Sequence, residues 1–475
     1  MNPRVFLMTA PLRWYRPAVK LLSLTLVMVA CSAPDPASHA DGGDDTVADG
    51  GDDTSSDGGD DTSSDGGTDT VADGGADPSP DASTDLSPDS HAPDGPWLPL
   101  QLNDVSILFP MSSNPSDLAA GYLGPDAHGP RGTLLPEPLY DRIGHITGSS
   151  GNPVPGGTGE ARYATLKVVA LRIDPCFAAL NPDPHGVECK NQLRLVFQEV
   201  AAKADGRASA FDSALHAFYT LGREELLAMA QAVAGLRVAS SGNQRLGGLA
   251  PHPLMVREGL TGPAATGTRD LIVKYAGQQN LIRVTRFSSS NAGFNWAFDG
   301  FDVSSASPPT VTPMNIATLT PSKNSQLFFR GFGSEVTGKF TPATTSADDL
   351  TPLANVETAL QLTPAARSAA FAALVRIENP TLHSPDTIDC ASCHLATPLS
   401  LVVAGPKFSL RESDDPRAFA PDGQSVLPSE MAPSFDLDGG FNLHAFSYAA
   451  RSPGINQRTV NETAAVVAYL NGLPR

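Results

Sequence analysis

Hydrophobic residues fall at two periods along this chain. Over residues 192–200, Leu193, Leu195 and Phe197 alternate with Arg194, Val196 and Gln198, the period of a strand with two unlike faces. Residues 163–173 are also strand-like, and the Pro/Gly-rich stretch 177–188 between the two predicts a long hairpin. Residues 270–275 and 280–287 flank a Gly-containing turn and read as a second hairpin, while 296–303 and 326–330 read as further strands. Helical spacing occurs at 208–219, with Phe211, Leu215 and Phe218 on one face, and at 224–236, with Leu226, Leu227, Ala230 and Val233. Residues 363–377 are also helix-like: Thr363 can cap, Pro364 fits the first turn, and Ala370, Phe371, Leu374 and Ile377 share a face. Thr459 and Glu462 suit a capping box ahead of the stripe Thr463, Val466, Val467 and Leu470, which Gly472 and Pro474 stop. The pattern divides the folded part into a β-rich α+β domain at 97–350, of unassigned role, and a helical domain at 351–475.

The first 96 residues follow neither period. Arg4, Arg13, Arg16 and Lys20 precede an apolar run at 21–30 that is too short to span about 30 Å of hydrocarbon but suits the core of a signal peptide. Ala30 directly before Cys31, with Met28 and Val29 ahead of it, resembles a bacterial lipobox. That resemblance implies cleavage after residue 30 and lipid on the Cys31 thiol, anchoring the chain to a membrane of the bacterial cell envelope, on its periplasmic or surface side. Residues 31–96 repeat an Asp/Gly octad and hold 18 aspartates with no Lys, Arg or Glu. Such a segment has too little apolar surface to offset ordering entropy, and it reads as a disordered acidic tether. Calcium is not expected there, because the octad lacks the mixed carbonyl and bidentate ligands of an EF-hand loop.

The tether also accounts for the charge. The whole chain carries a formal −19, but residues 97–475 hold 28 basic and 33 acidic residues, a near balance. Without a basic stripe, a nucleic-acid partner is not expected.

Five cysteines are present, and an exported chain must account for each. Cys31 takes the lipid. Cys176 and Cys189 flank the loop of the first hairpin and are expected to close its neck as a disulfide; a metal pair with His185 would lack a fourth ligand nearby. Cys390 and Cys393 remain, in Cys390-Ala-Ser-Cys393-His394. Two thiols at this spacing can form thioethers with both vinyl groups of one haem, and the adjacent imidazole then meets the iron. A zinc site that adds His383 and a redox dithiol are the alternatives.

With these residues the C-terminal part resembles a class I c-type cytochrome. The resemblance implies an all-α domain with one covalent haem c: a helix before the motif, a loop carrying the sixth iron ligand, and a last helix packed across the first. Met431, in Pro428-Ser-Glu-Met-Ala-Pro433, looks like the loop methionine; His444 is its main rival, and His383 or an open position are further options. Phe435, Phe441, Phe446 and Tyr448 are candidates for the apolar lining, and Arg451 or Arg458 for pairing a propionate. His128, His145, His216 and His252 are assigned structural roles. No phosphate loop, nucleophile elbow or His-x-x-x-His pair appears. The function expected is electron transfer to a redox protein or a quinone-linked membrane complex. A haem enzyme, such as a peroxidase or oxidoreductase subunit, and an adhesive or structural surface lipoprotein are the alternatives.

Overall fold

The alternation at 192–200 builds the centre of the molecule, with both faces of that strand buried. The computed structural model describes residues 96–474 apart from 115, 145–162, 177–188, 204, 291–294, 305–308, 315–324, 330–348, 384–387, 422–435 and 438–439, all within one unit, Thr84–Arg475. The signal peptide, Cys31 and the acidic tether lie outside the described residues, and no described helix is long and apolar enough to cross a membrane.

Nine strands form one antiparallel sheet: β1 (Ser106–Leu108), β2 (Leu166–Asp174), β3 (Gln192–Ala202), β4 (Ala208–Ala210), β5 (Ser213–Thr220), β6 (Leu281–Ser290), β7 (Asn295–Val303), β8 (Val311–Pro313) and β9 (Ser325–Phe329). The spatial order is β1-β2-β3-β5-β6-β7-β8, with β4 also pairing β3 and β9 also pairing β7. Cys176 and Cys189 are bonded at the end of the β2–β3 pair, as the hairpin reading expected.

On one face, Leu171, Ile173, Leu193, Leu195, Phe197, Leu215 and Tyr219 pack against helices α1 (Arg223–Ser241) and α2 (Pro263–Tyr275). On the other, Val169, Val196, Ala214, Phe287, Trp296, Phe298 and Phe328 meet α3 (Pro364–Ile377) and α4 (Cys390–Leu399). The last helix, α5 (Gln457–Asn471), gives Val460 to the second core and Val466 and Leu470 to the first.

This arrangement corrects the expectation of an all-α cytochrome-like domain at the C-terminus. The helices after residue 350 form the second face's cover and share a core with the sheet. The same segment also contains a hairpin, β10 (Phe446–Ala449) with β11 (Ser452–Ile455), and bridges back to β4 through Ala210 and Ala450. The five helices α1 to α5 and the large sheet therefore belong to one layered body.

Three local expectations also fail, each for a physical reason. Residues 208–219 form β4 and β5 rather than a helix. A strand buried on both faces carries apolar residues on each side, and here they coincide with helical spacing. Residues 270–275 close α2 rather than forming a strand; Gly262 and Pro263 start that helix and bury Ala264, Thr268, Ile272 and Tyr275 at helical intervals. The last helix starts three residues earlier than expected, because Asn456 caps it through its side chain to the Thr459 amide at 2.8 Å. Thr459 instead donates to the Ala445 carbonyl at 3.1 Å, and Glu462 pairs with Arg172. The cap at Thr363 is as expected, accepting from the Ala366 amide at 3.2 Å.

Candidate functional site

Helix α4 carries the Cys-x-x-Cys-His motif on its first turns, so Cys390, Cys393 and His394 share one side of it. Its start is fixed to the sheet. Asp389 caps it, accepting from the Ser392 amide at 2.9 Å and from the Ser392 hydroxyl at 2.6 Å. Gln326 of β9 donates to the same carboxylate at 2.7 Å and accepts from the Ala391 amide at 3.1 Å. Burial pushes the Asp389 carboxyl up to about 6 against the pull of these bonds. Asn456 holds the far side, donating to the Cys393 carbonyl at 2.7 Å.

His394 is buried, and its Nδ1 lies 2.5 Å from the Leu443 carbonyl oxygen. A carbonyl can only accept, so Nδ1 carries the proton and Nε2 presents its lone pair. Burial brings the His394 imidazole down to about 4, so the ring is neutral at physiological pH. Phe287 and Phe298 border it, with ring centroids 5.1 and 5.4 Å away. Neither thiol is disulfide-bonded. Burial, reinforced by the Asp389 carboxylate, pushes Cys390 up to about 12, and burial also raises Cys393. Such thiols are poor nucleophiles, which disfavours the redox-dithiol reading.

Both cysteines and His394 line a cleft between α4, α5 and the sheet, with about 690 Å³ of space that opens to solvent. The opposite wall comes from same-face positions in neighbouring strands. In one cross-strand row Arg172 pairs with Arg194, Arg194 with Phe218, and Phe218 with Arg283; in the next, Val196 pairs with His216 and His216 with Thr285. All these residues line the cleft. They are the positions that alternate with the apolar core residues of the first face.

The cleft is rich in buried charge. Arg172 pairs with Glu462 at 2.8 Å and lies 3.4 Å from Asp174; Arg194 is 2.9 Å from Asp174, and Arg458 is 3.8 Å from Glu462. Burial alone would raise Glu462, but the guanidinium groups of Arg172, Arg458 and Arg194 outweigh it and bring the carboxyl down to about 2. Three buried cations thus face two buried carboxylates. The Nε atoms of Arg172, Arg194 and Arg458 are buried and make no hydrogen bond, leaving donors for an anionic group.

The other expected residues scatter. Met431 and Phe435 lie outside the described residues, as does the side chain of Phe441. Phe446 lines the cleft. Tyr448 is buried and donates to the Phe109 carbonyl at 2.7 Å. Arg458 lines the cleft, donating to the carbonyls of Ile377 at 2.8 Å and of His383. Arg451 instead donates to the carbonyls of Ser112 at 2.9 Å and of Ala208. His383 is buried near that end of α3.

His444 has both ring nitrogens engaged, Nδ1 with the Ser447 hydroxyl at 2.6 Å and Nε2 with the Asp212 carboxylate at 2.8 Å. This Ser–His–Asp set has the residue types of a hydrolytic triad, but Ser447 is buried in β10 and does not line the cleft. It joins β10 to the turn between β4 and β5 rather than presenting a nucleophile.

Sequence reasoning missed His216, Arg172, Arg194 and Gln326. For His216, Arg172 and Arg194 the available signal was charge or imidazole alternating with Leu171, Ile173, Leu193, Leu195, Leu215 and Ala217; Gln326 carried no such signal.

Among the described residues no group of three or more His, Cys, Asp or Glu side chains is placed to hold a metal ion, so the zinc alternative gains no support. Comparison with family models, curated proteins and solved structures returns no match. No comparison tests the cytochrome resemblance, which rests on the spacing of Cys390, Cys393 and His394.

Proposed function

We propose that the cleft takes one haem c, joined by thioethers to Cys390 and Cys393 and ligated by His394, and that the protein is an electron carrier. The observation that carries this reading is the Nδ1 contact of His394 with the Leu443 carbonyl, which sets the tautomer that leaves Nε2 free to ligate beside both thiols. The donor set fits the group. Two thiols and one imidazole lie on one helix side, and partnerless guanidinium nitrogens suit propionates. The cleft also opens to solvent beside these groups.

When bound, the haem supplies one-electron exchange at its iron. The chain's residues do the rest. The Leu443 carbonyl orients the imidazole and strengthens it as a donor. Phe287 and Phe298 exclude water on the sheet side, and Arg172, Arg194 and Arg458 offset negative charge. The open mouth leaves an edge for a redox protein or a quinone-linked membrane complex. Lipid on Cys31 would hold the body at the cell envelope, and the acidic tether would let it reach such partners.

A denaturing gel of the exported chain tests attachment. Haem-dependent peroxidase staining should remain on the polypeptide and disappear in the Cys390→Ser/Cys393→Ser double variant; staining that survives the double change would remove the thioether assignment. Cys31→Ser should move the processed body from the membrane fraction to the soluble exported fraction or stop processing. A processed variant that still sediments with membranes would exclude lipid on Cys31 as the anchor.

A further inference from the structure

We propose that His216, on the middle of β5, supplies the sixth iron ligand from the sheet side of the cleft. This inference rests on the haem reading and goes beyond it by placing the second axial ligand in the sheet, more than 170 residues before the motif. The register Val196–His216–Thr285 puts His216 on the cleft face. It lines the cleft with His394 and Cys393, and a smaller adjoining space with Cys390 and His394.

The two imidazole centroids are 5.9 Å apart, with the rings inclined at 33°. Two imidazoles on opposite sides of one metal have centroids roughly 6 Å apart, because each metal–nitrogen bond is about 2 Å and each ring centre lies about 1 Å beyond its nitrogen. The Nε2 atom of His216 is buried and makes no hydrogen bond, an arrangement that native interiors rarely leave without use. Among the other buried histidines, His444 has both nitrogens occupied by Ser447 and Asp212, and His383 does not line the cleft. Met314 also lines the cleft, but it is only partly buried, on the short segment after β8.

The test is spectroscopy on the full chain, exported from a host that attaches haem c. The wild type should be six-coordinate and low-spin, without the weak long-wavelength sulfur-to-iron band of the ferric state. His216→Ala should lose the low-spin spectrum and bind carbon monoxide when reduced, while its haem stays on the polypeptide in a denaturing gel. His216→Met carries the test if the alanine variant does not fold. It should remain six-coordinate, gain the sulfur band and move to a higher reduction potential, because thioether sulfur favours ferrous iron.

A low-spin spectrum that survives His216→Ala overturns the inference. So does a wild-type sulfur band that Met314→Ala or Met431→Ala abolishes. In either case the haem reading stands. A wild-type chain without covalent haem defeats that reading itself, and this inference falls with it.

Discussion

The two faces of the sheet are built from the same strands and do different work. On the first, Leu171, Leu195, Phe197 and Tyr219 meet α1 and α2 in an aliphatic and aromatic core. On the second, one residue along the same strands, Arg172, Arg194, His216 and Phe218 meet the motif helix and α5 across a cleft. Both sets are buried: Leu171 is fully covered and Arg172 is 3% exposed. Strand alternation here separates two kinds of interior rather than interior from solvent. Burying guanidinium and carboxylate groups costs several kcal/mol per ion unless they are paired, so the second face holds its charges by mutual compensation. That cost is expected where a site is built, and the first face shows what the same strands do without one.

Perturbing each face should separate them. The largest loss of stability is expected on the first face. Phe197→Ala leaves a cavity in a fully covered core and should cost about 3–5 kcal/mol in urea unfolding, with haem ligation in surviving folded protein unchanged. A spectral change in the folded variant would mean that the faces are coupled.

Next is Glu462→Leu. It leaves Arg172 and Arg458 facing each other and should cost roughly 3 kcal/mol, while Arg172→Met with Glu462→Leu should recover much of that. Recovery absent from the double variant would mean that the pair is not the source of the cost. The same carboxyl gives a pH signature. Its folded value of about 2 lies below its ordinary 4.5, so its stabilisation is complete above about 4.5 and is lost as pH falls toward 2. Glu462→Gln should flatten that acid limb of the unfolding midpoint; an unchanged limb would assign the acid sensitivity elsewhere.

The smallest effect is expected where the motif helix joins the sheet. Asp389→Ala removes the cap of α4 and its bond to Gln326, and should cost about 1–2 kcal/mol. It should also broaden the ligation spectrum by loosening the helix that carries the motif. An intact spectrum with lowered stability would show that the cap serves folding alone.

Much of this was legible from residue order. The spacing of Cys390, Cys393 and His394, the disulfide between Cys176 and Cys189, the strands at 192–200 and 296–303, and the Thr363 cap all rest on local chemistry. The cleft was not legible, because its wall depends on strand pairing. Nothing local places Arg172 beside Arg194 or His216 opposite Thr285. Residues 208–219 mislead for a related reason: β5 carries apolar residues on both sides, so Leu215 and Phe218, with the exposed Phe211 of the preceding turn, match a helical stripe. The C-terminal helices were read as a closed domain because their own apolar stripes are visible, whereas the partner surface, Val196, Phe287 and Phe298, lies far away in sequence.

If the second face is a haem site, the intact mass of the exported, purified chain and its reduced optical spectrum report it most directly. The mass should be increased by one haem that persists through denaturation, and the reduced spectrum should show the sharp bands of a c-type haem. A mass equal to the bare polypeptide, or one lower by two hydrogens from a Cys390–Cys393 disulfide, would contradict it.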